Sequence, residues 1–277
     1  MKPRVIVPNI FTSLSLACGL FVIFQMTQLP DSQVNYNQFL ASALILLFAA
    51  FLDFLDGAFA RVLKGESEFG GFFDSMADAV AFGVAPATLI IKSIHFEPRT
   101  LLSFFVMAGA LCYVMAGELR LVRFTIGIHK PDEKPIEDPA LRKSFTGLPI
   151  TAAAACLTSL TLLLLSAEFT AVVPLSEIAR ASIIIISLFL LAFLMVSKLK
   201  FPSFKNLRFK VSSFLILLLT TFTAALLLGG LVNYFPFVFA AISWLYVFVS
   251  LLLSLIRVIS GKRIKALEDF EPDSEDE

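Results

Sequence analysis

Apolar residues in this chain gather into eight stretches, at about 8–28, 38–60, 72–93, 101–124, 147–167, 178–197, 211–230 and 235–256. Each is close to the roughly 20 residues an α-helix needs to cross the hydrocarbon core of a bilayer. The polar segments between them are short, and none is large enough to fold alone. The pattern therefore predicts an all-α, polytopic membrane helix bundle. Its expected organisation is a membrane core over 1–210, two additional C-terminal spans over 211–260 and an acidic tail over 261–277.

Composition strengthens this picture. Apolar residues make up 58% of the 277 positions and charged residues 16%, against roughly 25% charged in soluble domains. Thirty phenylalanines against four tyrosines and one tryptophan suit lipid contact and helix packing better than base stacking, so a nucleic-acid partner is not indicated. Lys2 and Arg4 precede the first apolar run, but no small-x-small cleavage pattern follows it, which favours a retained first helix. Cys18, Cys112 and Cys156 lie inside apolar stretches without metal-ligand spacing, and His95 and His129 form no paired-His motif.

The formal net charge is zero, but its distribution is informative. With the N-terminus in the cytoplasm and eight spans, nineteen of the 22 Lys and Arg fall inside and only Lys92, Arg99 and Arg180 fall outside. By the positive-inside rule both termini are expected to be cytoplasmic, in a bacterial inner membrane. The polar segment from about Gly127 to Ser144 reads as an exposed cytoplasmic loop. The acidic tail Glu268 to Glu277 is too poor in apolar residues to predict structure.

Chemistry concentrates in DFLDGAFARVLKGESEFGGFFDSMAD, from Asp53 to Asp78. Asp53 and Asp56 are three apart, and Asp74 and Asp78 are four apart, so each pair projects from one face of its helix. A turn containing Lys64, Gly65, Gly70 and Gly71 joins the helices and lets the pairs face each other. One carboxylate at bilayer depth costs about 2.5–3.5 kcal/mol on insertion scales, and four together also repel. Arg61 supplies one compensating charge. Four hard oxygen ligands suit one or two divalent cations such as Mg²⁺ or Mn²⁺. Gly57, Ala60 and Gly70 let a nucleotide or a neighbouring helix approach the backbone closely. The alternative for these residues is ordinary small-residue packing, with membrane-edge acids reaching water.

In full, the motif is Asp53-x2-Asp56-Gly57-x2-Ala60-Arg61-x8-Gly70-x3-Asp74-x3-Asp78. It resembles, without gap or substitution, the signature of the CDP-alcohol phosphotransferase family. An accidental match to eight specified positions is on the order of one in ten billion per start position at average residue usage. The resemblance implies a six-helix core, usually a homodimer, with a cavity open to the cytoplasm and a two-metal site. It further implies that Asp53, Asp56 and Asp74 ligate metal and that Asp78 contributes to that site and serves as general base. Gly57, Ala60, Gly70 and Arg61 would accommodate the cytidine diphosphate.

Four further segments, PNIFTSLSLACG, ADAVAFGVAPA, RLVRF and FTGLP, resemble the phosphatidylserine synthase branch, as does SKLKFPSFK at Ser197 to Lys205. Ser15 departs from the Asn usual in the opening motif of that branch. The branch implies CDP-diacylglycerol and L-serine as substrates and phosphatidylserine and CMP as products, in contact with membrane lipid. A serine carboxylate calls for a cation, and Arg120, Arg123 and Lys143 are the candidates. The alternative is the same reaction with another acceptor in place of serine: glycerol 3-phosphate, an inositol phosphate or choline. An ion or solute transporter would spread its ionisable groups near the midplane, whereas these acids cluster near one membrane face.

Overall fold

Where no water reaches the backbone, its polar groups must bond within their own segment, and the apolar stretches accordingly fold as helices. The computed structural model describes residues 3–30, 35–63, 67–94, 100–128, 145–197, 200–201 and 234–260. In chain order these form α1 (Pro3–Gln28), α2 (Tyr36–Val62), α3 (Glu68–Asp78), a π-turn (Ala79–Val84), α4 (Ala85–Ser93) and α5 (Leu101–Ile128). There follow β1 (Phe145–Thr146), α6 (Ile150–Leu165), α7 (Ala167–Val172), α8 (Glu177–Val196), β2 (Lys200–Phe201) and α9 (Phe235–Ser260). Among the described residues six helical runs are long and apolar enough to cross a membrane: α1, α2, the continuous run from α3 to α4, α5, α8 and α9. The protein is an integral membrane protein of the all-α polytopic class that the hydropathy pattern predicts.

Several helices differ by a few residues from the sequence expectation in their edges, and for two the structure gives the reason. The third begins at Glu68 rather than near 72, because Ser67 in extended conformation accepts the Gly70 N–H at 3.0 Å and starts the helix early. The fifth is shorter than expected: α6 has sixteen residues, about 24 Å of helix at 1.5 Å per residue. Ser166 ends it by adopting φ −68°, ψ 138°, and its hydroxyl accepts the Phe169 N–H at 3.3 Å to begin α7. The expected span at 211–230 lies outside the described residues, as do Lys143, most of the basic segment 198–210 and the acidic tail.

The chain divides into two compact units. The first, Met1–Pro131 with Pro149–Val196, contains α1 to α8 without the strands. There α1 lies along α2 and α5 along α8, while the α3–π–α4 run packs against α1, α5 and α6. Small residues make these approaches close: a Cβ on Gly19 would come within 2.6 Å of the Ala81 Cα, and one on Gly109 within 3.2 Å of Leu188. Lys92 Nζ donates to the Leu29 carbonyl at 3.3 Å, tying the end of α4 to the end of α1. Phe54 and Phe193 turn about two thirds of their surface outward, as lipid-facing residues do, whereas Tyr113, Phe82 and Leu157 are fully buried.

The second unit, Asp132–Leu148 with Ser197–Glu277, contains the two strands and α9. Phe145 pairs with Phe201 and Thr146 with Lys200 in an antiparallel ladder. Nothing in the hydropathy pattern announces this ladder. Gly147, in the FTGLP segment, has φ 86°, a conformation that a side chain would strain.

Candidate active site

The last turns of α2 read FLDFLDGAFARV. Apolar Phe51 and Phe54 point outward there, while Asp53 is half-buried and Asp56 is buried. Helical spacing gives the two acids a common inward face. On α3, Asp74 faces the same space. One carboxylate oxygen from each of Asp53, Asp56 and Asp74 lies within 4.8 Å of the others. Asp78, one turn further along α3, stands beside this trio, within hydrogen-bonding reach of Asp53 and in the field of Asp74 and Asp56. The two sequence pairs therefore do converge.

The helix α1 contributes a partner that sequence reasoning missed. Thr12 Oγ1 donates to Asp56 Oδ2 at 2.7 Å and also lies 3.3 Å from the Pro8 carbonyl one turn back. Thr12 belongs to the PNIFTSLSLACG segment, but its facing toward α2 depends on helix packing that local periodicity does not specify. Ser15 instead donates to the Ala49 carbonyl at 3.1 Å and joins α1 to α2 away from the acids. Phe11 and Phe59 stack across the same pair of helices, with ring centroids 5.2 Å apart.

Two of the glycines in the motif have different surroundings. A Cβ on Gly57 would meet nothing within 4 Å, so the backbone beside the acids borders open space. A Cβ on Gly70 would lie 3.0 Å from Ser67 Oγ and 3.2 Å from Asn9 Oδ1, so Gly70 is confined between the α3 cap and α1. Ala60 is half-buried on α2, and Arg61 follows it in the last turn of that helix.

The acids pass a chemical test for a divalent cation. Asp74 Oδ1 is buried with no hydrogen-bond partner, an expensive state for a carboxylate oxygen. The trio offers only oxygen ligands, with no Cys or His in the group, which suits a hard cation.

The candidate acceptor residues do not share one environment. Arg120 and Arg123 are three apart near the end of α5. Arg120 is half-buried, whereas Arg123 is exposed and donates through Nη1 to the Val196 carbonyl at 3.2 Å, at the end of α8. Arginine in that place satisfies a terminal helix carbonyl and complements the helix dipole.

The sequence profile of the CDP-alcohol phosphatidyltransferase family matches residues 5–197. The chain is 30% identical over 219 residues to a CDP-diacylglycerol–serine O-phosphatidyltransferase of Helicobacter pylori, covering 79% of this chain and 81% of that protein. It is 32% identical over 200 residues to a protein of the same description from Bacillus subtilis, covering 72% and 92%. A third, from Methanocaldococcus jannaschii, is 30% identical over 162 residues, covering 58% and 64%.

Proposed function

Since the chain belongs to the CDP-alcohol phosphatidyltransferase family, we propose that it transfers the phosphatidyl group of CDP-diacylglycerol to L-serine, forming phosphatidylserine and CMP. The observation that carries the chemistry is the carboxylate trio with its partnerless Asp74 oxygen, bordering the open space at Gly57. The choice of serine is supported by the shared description of the relatives from three organisms.

In this reaction the serine hydroxyl oxygen forms a bond to the phosphorus that carries the diacylglycerol. The bond from that phosphorus to the CMP oxygen breaks, and the hydroxyl proton is taken up by Asp78. Divalent metal bound by Asp53, Asp56 and Asp74 would supply charge neutralisation for the pyrophosphate and the leaving CMP. Thr12 holds the Asp56 carboxylate in a fixed rotamer through its 2.7 Å bond. Gly57 leaves room at the backbone for the cytidine diphosphate, and Asp78, within hydrogen-bonding reach of Asp53, is the acid that takes the proton.

Purified full-length protein, incubated with CDP-diacylglycerol, Mn²⁺ and a panel of alcohols, is expected to yield phosphatidylserine. A different phospholipid alone would replace the acceptor and keep the family chemistry, whereas no lipid product from any alcohol would overturn the proposal. In the same assay Arg120→Lys is expected to raise the KM for serine about tenfold, because an ammonium loses the bidentate grip on a carboxylate. Arg123→Lys should move it less, since Arg123 already serves the end of α8. Equal changes in the KM of both substrates would reduce the arginines to general electrostatics.

The nineteen-to-three partition of Lys and Arg supports cytoplasmic placement of both termini, and hence of the site at the cytoplasmic end of α2. A Ser274→Cys variant in intact cells is expected to resist membrane-impermeant thiol reagents added outside. Its labelling would reverse the orientation.

A further inference from the structure

Immediately after Asp78 the helix changes its pattern. From Ala79 to Val84 it is a π-turn, in which the Ala85 N–H donates to the Val80 carbonyl five residues back. Pro86 follows, and it has no N–H. In an α-helical register position 86 would serve the carbonyl of residue 82, and proline cannot, so an α-helical turn here would leave the Phe82 carbonyl unserved. That carbonyl is buried in the bundle. It receives the hydroxyl of Tyr113 on α5 at 2.7 Å, and Tyr113 is itself fully buried. On its other sides the turn is pressed by Gly19 of α1 against Ala81 and by Ile150 of α6 near Gly83.

We propose that Tyr113 is a positioning residue for the transfer reaction: its bond to the Phe82 carbonyl locks the π-turn and thereby fixes the direction of Asp78 toward Asp53. This rests on the role proposed above for Asp78. A π-turn carries one residue more per turn than the helix around it, and its place along the chain must be held by specific contacts. If the turn relaxes, the end of α3 at Asp78, where the turn begins, is the part that shifts, while Asp53 and Asp56, on α2, and Asp74, one turn earlier on α3, stay where they are. The lipid-nucleotide site is then preserved and the proton acceptor is misaimed.

Three proteins separate this from simple stabilisation: wild type, Tyr113→Phe, and the double variant Tyr113→Phe with Pro86→Ala. The second change returns a backbone N–H that can serve the Phe82 carbonyl in an ordinary helical turn. In lipid nanodiscs, Tyr113→Phe is expected to lose about 10- to 100-fold in kcat, with the KM for CDP-diacylglycerol changed less than about twofold. Its thermal unfolding temperature should also fall. The double variant should recover unfolding temperature but not kcat, because the carbonyl is satisfied while the turn is lost. Should Tyr113→Phe fail to fold, the double variant against wild type makes the same comparison. Recovery of kcat together with stability, or a Tyr113→Phe enzyme that turns over like wild type, would overturn the proposal. Failure of the transferase reading would look different, as a wild-type protein without product.

Discussion

Asp78→Asn is expected to reduce turnover by about 10²–10⁴-fold while the protein folds and still binds CDP-diacylglycerol. Asparagine keeps the size and much of the hydrogen bonding of the side chain but cannot accept the hydroxyl proton. Asp78 stands beside the three closely grouped acids, so its loss should fall mainly on kcat. Single-turnover measurements with saturating serine isolate the chemical step, and binding of the lipid nucleotide is followed in parallel without serine. If Asp78 also contributes to holding metal, the fall exceeds this range and the metal requirement changes with it. Near-normal turnover would remove Asp78 from the role of base.

The second large effect concerns metal. Excess EDTA is expected to abolish turnover, and Mn²⁺ or Mg²⁺ to restore it, because three carboxylates with oxygens within 4.8 Å of one another, beside the buried Asp74 Oδ1 that accepts no hydrogen bond, suit a divalent cation. Asp56→Asn tests the charge separately from the geometry, since the amide oxygen can still accept the bond from Thr12. Its activation constant for Mn²⁺ should rise by at least about 10-fold. Mn²⁺ binding measured by electron paramagnetic resonance provides a readout independent of turnover. Undiminished activity in excess EDTA would exclude a metal role for the trio.

These two experiments bear on different parts of one site, and the variants are far enough apart in role to be informative together. Asp56 lies in the group tied to α1 through Thr12, and Asp78 lies at the start of the π-turn braced by α5. An effect of Asp78→Asn confined to kcat, with an effect of Asp56→Asn dominated by the metal requirement, would separate the proton acceptor from the cation ligands. Identical phenotypes would mean that all four carboxylates act as one ligand set.

The sequence by itself determined the helical class of the described apolar stretches and the spacing of the acids from which the candidate site is built, because both are written in short-range order. Hydropathy over about twenty residues decides whether a segment can cross a bilayer, and spacings of three and four decide that Asp53 with Asp56, and Asp74 with Asp78, share a helix face. Only the tertiary structure decided what those faces meet. The bond from Thr12 to Asp56 spans 44 residues and that from Tyr113 to Phe82 spans 31, and helical periodicity is the same whichever neighbour a face finds. The same holds for Arg123, whose place near Arg120 in sequence gave them one expected role, while packing of α5 along α8 gave Arg123 a carbonyl to satisfy. Pro86 lacks an N–H whatever fold surrounds it. Which group would serve the carbonyl it abandons depended on α5 bringing a buried phenol to that turn.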